Sequence, residues 1–333
     1  MPKLSARIGK RHALEGAAAG VVVLGLLLWW LLPLGDKPPS GSITISTGNQ
    51  AGVYYEYARL LKGELSKDMP DLDVTLRQSN GSQENVARVA DRKATFAIAA
   101  ADAVGMYDSR HAGAANELRA VARLYDDYLQ LVVPADSPVT SVAGLRGKRV
   151  GTGLEGSGVR LMADRVLDAA GIDPDRDITA MDEGIDSGPE HLREGRIDAF
   201  FWSGGVPTKG LQKLFSASGE FRFVPIPADL VAKMHQRDEE TRFYRATNMP
   251  EDAYPKVQDG KTVPTVAVAN LLITRADTKS DLAEWMTKTV IKSRDEIGHH
   301  VHSAQLVDLR TAIYTDPLGL HAGARRYYLS VKL

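Results

Sequence analysis

The chain has 333 residues, of which 44% are hydrophobic and 25% are charged, and its formal net charge is −1. This composition is typical of a folded globular protein, and the near-neutral charge argues against the basic surface of a nucleic-acid-binding protein. The absence of cysteine excludes disulfides, thiolate metal ligands, a cysteine nucleophile and a lipid-modified cysteine anchor.

The N-terminal segment is predicted to anchor the chain in a membrane. Residues 1–12 contain four basic side chains, and residues 16–34 contain no charged one. The uncharged stretch 16–34, rising about 1.5 Å per residue as a helix, nearly spans the roughly 30 Å of a hydrocarbon core, and we predict the membrane-spanning helix over 13–34. The basic flank predicts a single-pass cell-membrane protein with residues 1–12 in the cytoplasm and, after a linker over 35–42, an extracytoplasmic remainder. The alternative is a cleaved signal peptide, although no small-residue cleavage motif follows.

From Ile43 the chain alternates predicted strands and helices. The first series has strands at 43–47, 72–78 and 95–99, with helices at 53–67 and 82–90 between them. Two further strands are predicted at 118–125 and 128–133. A second series has strands at 148–152, 178–181, 197–202 and 221–224, with helices at 157–170, around 189–194 and from residue 208. A long strand over 263–274 follows, and 279–298 and 305–333 are predicted to be helical. This alternation predicts a mostly parallel sheet.

Two such series in one chain predict an α/β fold with two lobes. We assign residues 43–133 with 266–333 to the first lobe and residues 134–265 to the second, with hinges at 129–133 and 263–273. Open α/β sheets bind ligands at the carboxyl ends of their strands. The strand ends of both lobes are therefore expected to face a common cleft that holds a small ligand.

The loops at these strand ends supply the candidate ligand-binding residues. In the first lobe they are Thr47, Gly48, Asn49, Gly52, Tyr54, Tyr55, Gln78, Ser79, Ser82, Asn85 and Ala100. In the second lobe they are Gly156, Ser157, Gly158, Trp202, Pro207 and Thr208, and Tyr128 lies just before the first hinge. Because adjacent helix residues point about 100° apart, only one of Tyr54 and Tyr55 is expected to face the cleft. Ser82 is also expected to cap the second helix.

The loop at 151–156 fits the pattern G-x-G-x-x-G. A dinucleotide site would need an acidic residue at the end of the next strand, whereas Asp173 follows a helix-ending turn. We instead expect the free N–H groups at the start of the next helix to hold a ligand carboxylate, the alternative being a plain turn capped by Ser157. The acidic turn at 182–186 would pair with an ammonium group, or it is a solvated turn.

No metal, cofactor or catalytic constellation is predicted. His299, His300 and His302 lack a suitably spaced carboxylate ligand. The turn at 155–158 resembles a nucleophile elbow but has no identifiable base, so serine hydrolysis is a remote alternative.

Six segments between residues 43 and 333 match short sequence motifs of one family, in the same order along the chain. They are T-G-N-Q-A-G-V-Y-Y at 47–55, S-N-G-S-Q-E-N at 79–85, G-L-R-G-K-R-V at 144–150 with G-S-G at 156–158, G-V-P-T at 205–208, V-P-T-V-A-V at 263–268 and H-A-G-A-R-R-Y-Y at 321–328. Together they resemble the TAXI-type solute-binding proteins of TRAP transporters.

The resemblance implies a type II periplasmic-binding fold, capture of a small organic acid or amino acid, and delivery to TRAP membrane subunits. It also implies that Ala100 replaces a glutamine of the family that would face the cleft. The alternative function is a tethered sensor that reports ligand occupancy to a membrane signalling partner.

Overall fold

The computed structural model describes Gly20, Val23 and residues 37–111, 117–216 and 220–331. Apart from Gly20 and Val23, the predicted cytoplasmic segment over 1–12 and the predicted anchor over 13–34 lie outside the described residues. Within the part of the chain that is described, no helix has the length and apolar character needed to span a bilayer. The chain divides into units Met1–Pro38 and Pro39–Leu333, and all elements below belong to the second.

The second unit alternates strands and helices along most of its length. The strands are β1 (Gly41–Ser46), β2 (Leu72–Arg77), β3 (Phe96–Ala100), β4 (Leu118–Pro134), β5 (Arg149–Gly151), β6 (Thr179–Met181), β7 (Ala199–Gly204), β8 (Phe221–Val224), β9 (Tyr244–Met249) and β10 (Val263–Arg275). The α-helices are α1 (Val53–Asp68), α2 (Ser82–Ala90), α3 (Ala101–Arg110), α4 (Gly158–Ala169), α5 (Gly188–Arg193), α6 (Lys209–Leu214), α7 (Ala228–Arg237), α8 (Pro255–Gln258), α9 (Ser280–Lys292), α10 (Arg294–Gly298) and α11 (Ala322–Ser330). Short 3₁₀ helices span Val142–Leu145, Glu239–Phe243 and His302–Leu306.

The strands form one hydrogen-bonded path in the order β2-β1-β3-β10-β4-β7-β5-β6, with β8 beside β4 and β9 beside β10. The two ends of this path are groups of parallel strands, β2-β1-β3 and β7-β5-β6. Between them, β4 and β10 run antiparallel to each other and to their outer neighbours. The predicted α/β class is confirmed, and the two long central strands connect the two parallel groups.

The segment 118–134 is one strand, not the two that the sequence predicted. Asp126 and Asp127 interrupt the apolar pattern, but both continue the ladder by pairing with Ala269 and Val268 of β10. The first part of β4 pairs with β10, and its end pairs with β7 over 128–132 and with β8 over 131–134. A single strand therefore carries the chain from one parallel group to the other.

Helices pack on the sheet through stripes of apolar side chains at helical spacing. In α1, Tyr57, Leu61 and Leu65 are almost fully buried in a core that includes Phe96 of β3. In α4, Met162 and Val166 are buried in a second core with strands β5 and β7. Each such side chain contributes about 1.5–3 kcal/mol relative to exposure. These stripes explain why the predictions of a helix over 53–67 and over 157–170 are confirmed within a few residues.

The C-terminal prediction holds only in part. Helices α9 and α10 occupy most of 279–298, as expected. From residue 307 to residue 321 the chain forms turns and a bridge, and only α11 is helical in the predicted segment 305–333, of which the structure describes all but the last two residues. Pro317 explains much of the difference, because proline removes a backbone donor and clashes with a preceding helical turn.

Candidate functional site

A cavity lies at the carboxyl ends of strands from both parallel groups. Its volume is about 50 Å³. Its wall consists of Gly48, Asn49, Gly52, Val53, Tyr54, Asn80, Gly81, Ser82, Ala100, Asp127, Gly153, Leu154, Ser157, Gly158, Val159, Glu183, Gly184, Trp202, Ser203, Gly204 and Val268. This is the place where open α/β sheets bind ligands.

Nine of the predicted site residues line this cavity. They are Gly48, Asn49, Gly52, Tyr54, Ser82, Ala100, Ser157, Gly158 and Trp202. The other nine lie outside its wall: Thr47, Tyr55, Gln78, Ser79, Asn85, Tyr128, Gly156, Pro207 and Thr208. Of the two adjacent tyrosines, Tyr54 faces the cavity and Tyr55 lies outside its wall.

Asn85 holds the loops of the first parallel group together. Its Nδ2 donates to the carbonyl oxygens of Thr47 and Ile98, at 2.8 Å in both cases. Its Oδ1 accepts from Ser46 Oγ at 2.6 Å and from Ser79 Oγ at 2.7 Å. All four hydrogen bonds of this buried amide are thus made within the fold. Asn85 and Ser79 therefore shape the site from behind the cavity wall.

Ser82 does not cap helix α2 with its side chain, contrary to the sequence prediction. Gly81 is the N-cap residue, with φ of 135°, a conformation that L side chains rarely adopt. Ser82 Oγ accepts from the N–H of Ala100 at 3.1 Å and lies 2.9 Å from the hydroxyl of Tyr54. The hydroxyl of Ser82 thus contacts Ala100 and Tyr54 in place of the backbone N–H groups at the start of its own helix.

Trp202 is oriented by its neighbours in the loop after β7. Its Nε1 donates to Thr208 Oγ1 at 3.0 Å, and that hydroxyl donates to the carbonyl oxygen of Gly205 at 2.8 Å. A Cβ atom at Gly204 would lie 2.6 Å from Trp202 Nε1, so glycine is required beside the ring. Thr208 lies outside the cavity wall but fixes the indole that forms part of it.

Ser157 caps α4, which the sequence analysis gave as the alternative role of this residue: its Oγ accepts from the N–H of Arg160 at 3.0 Å. The first N–H groups of an α-helix have no intrahelical acceptor. Those of Gly158 and Val159 belong to residues of the cavity wall. The start of α4 is therefore one polar corner of the cavity.

Asp127 is one of the wall residues that the sequence interpretation missed. It is 4% exposed, and its Oδ2 lies 3.2 Å from the hydroxyl of Tyr54, which also contacts Asn270 Oδ1. Its Oδ1 has no hydrogen-bond partner among the described residues. Burial raises the pKa of Asp127 to about 7, and the neighbouring Asn270 amide and the Tyr54 hydroxyl oppose that increase. Burial and the nearby Asp127 together raise the pKa of Tyr54 well above its ordinary value.

Of the described residues, the cavity wall contains two carboxyl groups and no Lys or Arg. The second carboxyl, Glu183, is already occupied: His191 Nδ1 lies 2.6 Å from its Oε1, and Ser187 Oγ donates to its Oε2 at 2.6 Å. Among the described residues, Asp127 has no ion-pair partner. Within the described residues, no group of His, Asp and Glu side chains is arranged to hold a metal ion.

Direct contacts join the loops on opposite sides of the cavity. Gln83 Nε2 donates to the carbonyl oxygen of Ser157 at 2.7 Å, and Asn80 Nδ2 donates to that of Glu155 at 3.1 Å. The backbone N–H of Glu84 donates to the carbonyl oxygen of Gly156 at 3.1 Å. The start of α2 is thus hydrogen-bonded to the loop before α4, and the cavity is closed on this side.

Comparison with known proteins gives one family and one fold. Residues 45–329 match the model of the NMT1-like family. The alkanesulfonate-binding protein SsuA from Xanthomonas axonopodis pv. citri bound to MOPS is 14% identical, with a TM-score of 0.51 and coverage of 88% of this chain and 84% of that chain. A structure described as a periplasmic transporter is 13% identical, with a TM-score of 0.53 and coverage of 88% and 93%. At these identities the likeness establishes the two-lobed fold of periplasmic binding proteins.

These findings correct the sequence-based assignment to the TAXI-type proteins of TRAP transporters. The matching family model is the NMT1-like one, and a similar structure is a sulfonate-binding protein. The expected TRAP membrane subunits are withdrawn with that assignment. The prediction that the chain is not an enzyme agrees with the descriptions of the similar structures, which are a binding protein and a transporter. Since the family model covers most of its length, the chain belongs to the NMT1-like family.

Proposed function

We propose that this protein is an extracytoplasmic solute-binding protein that encloses a small ligand and delivers it to a membrane transporter. The observation that carries the proposal is the closed cavity at the strand ends of both parallel groups. The two-lobed fold and the family support it. One protein of similar fold is named as an alkanesulfonate-binding protein and is bound to MOPS.

Ligand entry requires the two sides of the cavity to separate. The contacts of Asn80, Gln83 and Glu84 with 155–157 exist only when they are together. We propose that bending of β4 and β10, within the predicted hinges 129–133 and 263–273, opens the cleft between lobes 43–133 with 266–333 and 134–265. A ligand that touches both sides favours closure, because only its differential affinity for the closed form shifts the equilibrium.

We further propose that the segment 13–34 anchors the protein in the membrane. Its 19-residue uncharged stretch at 16–34 and the basic flank before it support this. Tethering keeps the binding lobes near a membrane partner and so raises their effective concentration there. A reporter enzyme fused after residue 333 should be active only outside the cytoplasm. Activity of the fusion in the cytoplasm would contradict this topology.

Ligand-dependent stabilisation tests the binding function. The full chain, purified in detergent, is melted with a panel of small amines, amino acids, carboxylates and sulfonates. A compound present at about 100 times its Kd adds about 2.7 kcal/mol to the stability of the folded state, which raises the Tm by several degrees.

A matched pair of variants assigns that stabilisation to the cavity. Ala100→Gln places a longer side chain in the cavity wall and should abolish the shift. Ala228→Gln makes the same change at an exposed position outside the wall and should preserve it. If no compound of any class raises the Tm, or if both variants respond like the original chain, solute binding in this cavity is contradicted.

A further inference from the structure

We propose that the ligand carries a protonated amino group that pairs with the Asp127 carboxylate inside the cavity. This inference rests on the proposed solute-binding function and names the chemical class of the solute. It makes Asp127 a specificity-determining residue that favours amines and amino acids over simple acids.

The first argument is the contrast between two adjacent carboxyl groups. Successive side chains of a strand point to opposite faces. Asp126 is paired with basic side chains, as Arg123 Nη2 lies 2.6 Å from its Oδ1 and Arg245 contacts its Oδ2. Asp127 belongs to the cavity wall, is nearly fully buried and, among the described residues, has no hydrogen-bond partner for Oδ1; the nearby Asn270 amide is neutral and supplies no counter-charge. A buried carboxylate is costly unless it is paired, and a cationic ligand supplies the missing partner.

The second argument is the composition of the rest of the wall. Its remaining charged residue, Glu183, is acidic, and no basic side chain belongs to the wall. A ligand carboxylate placed next to these groups would be repelled. Trp202 adds an aromatic ring, whose face attracts cations. The N–H groups at the start of α4 offer a separate place for the carboxylate of an amino acid.

The third argument predicts how the affinity for amines changes with pH. Because burial holds the pKa of Asp127 near 7, this carboxyl is largely protonated at pH 6 and largely ionised at pH 8. An ammonium group stays charged over this range, since the pKa of an amine is about 10. Amine affinity should therefore rise with pH. A carboxylate ligand that needs the protonated form would show the reverse.

The groups that face Asp127 support this sign. Tyr54 and Tyr125, whose rings lie nearby, have pKa values raised well above 10 by burial and stay neutral in this range. The charges of Asp102 and Asp126 act in the same direction as burial and raise the pKa of Asp127. Asn270, on β10, is uncharged. No neighbouring group among these reverses the expected pH dependence.

Propylamine, propanol and propionate provide a matched set of probes, because they differ mainly in the terminal group. The full chain in detergent is titrated with each by calorimetry and by thermal melting. We expect propylamine to bind about tenfold more tightly at pH 8 than at pH 6, from the change in the ionised fraction of Asp127. Propanol and propionate should bind weakly at both pH values. Alanine tests whether an added carboxylate at the start of α4 strengthens binding.

Two variants locate the effect. Asp127→Asn keeps the shape but removes the charge, and it should weaken amine binding by at least about tenfold at pH 8 and remove the pH dependence. Asp126→Asn changes the neighbouring carboxyl on the other face; it should retain amine binding and its rise with pH, with the midpoint moved to lower pH because the charge of Asp126 no longer raises the pKa of Asp127. The Tm and circular dichroism of each variant show whether it is folded.

The outcomes separate this inference from the proposed function. If propionate or another acid binds and amines do not, or if Asp127→Asn leaves amine binding and its pH dependence intact, the amine inference is overturned and solute binding stands. If no compound of the wider panel stabilises the protein, both are overturned.

Discussion

The substitution Asp127→Asn should change how the stability of the unliganded protein depends on pH. The pKa of this carboxyl is about 7 in the folded protein and 3.8 without the fold. Because one pKa unit corresponds to about 1.4 kcal/mol, ionising Asp127 in the folded state costs about 4 kcal/mol. Between about pH 4 and pH 7 the folded state keeps a proton that the unfolded chain has lost, so stability falls as pH rises through this window.

The neutral amide of the variant cannot ionise, so its stability lacks this decrease. Relative to the original chain, the variant should gain up to about 4 kcal/mol between pH 4 and pH 8, whatever its stability difference at acid pH. Urea unfolding followed by circular dichroism at several pH values measures that difference. A stability difference that stays constant with pH would refute the reasoning, since it would mean that burial does not raise this pKa.

Asp198→Asn provides a control of opposite sign. Hydrogen bonds from Arg149, at 2.6 Å from Nη2 and 2.8 Å from the backbone N–H, hold the pKa of Asp198 below its ordinary value. The folded state then favours the ionised form, so this stabilisation is present at neutral pH and is lost as pH falls. The control should therefore be destabilised at neutral pH and approach the original chain in acid. Its effect should be smaller, because the pair is partly exposed.

Three further substitutions test the fold and the closed cavity. Ser157→Ala removes the N-cap of α4 and should lower the free energy of unfolding by about 1 kcal/mol in urea denaturation; no change would contradict the capping role. Arg165→Leu removes a partly buried cation that donates to the Tyr244 hydroxyl at 3.0 Å and lies near Asp102, so it should cost about 1.5–3 kcal/mol, seen as a lower Tm; an unchanged Tm would contradict this role. Gln83→Ala removes a hydrogen bond across the cleft, so it should weaken binding of the stabilising solute about tenfold or less while changing the stability of the unliganded chain by about 1 kcal/mol or less; unchanged affinity would show that this contact does not contribute to closure.

The sequence predicted those features that depend on local patterns. Helix α1 and its buried face follow from the spacing of Tyr57, Leu61 and Leu65, and the cap at Ser157 follows from residue type and position. The location of the cavity follows from a general rule about strand ends. These features need no knowledge of which strands pair across the sheet.

The parts that could not be predicted depend on contacts between distant segments. Asp126 and Asp127 looked like a break between two strands, because partners at Arg245 and Tyr54 are not visible in the local pattern. The available signal was an aspartate pair inside a long apolar stretch. In a continuous strand, one of the two side chains must point to the face opposite the other. Asn85 fitted both a ligand contact and a loop-building role, and only its four hydrogen bonds decide where it acts. The finer family assignment failed because short turn motifs specify loop geometry and not a transport system.

The position of β10 between β3 and β4 has a consequence for synthesis of the chain on the ribosome. Strands β3 and β4 end by residue 134, but the strand that joins them starts at Val263. Until Val263–Arg275 has emerged, both strands keep an unpaired edge of the kind that invites wrong pairing. Contacts of such large sequence separation also slow folding. The central sheet therefore completes only after residue 275 has been translated, and a chain released before Val263 should aggregate instead of folding.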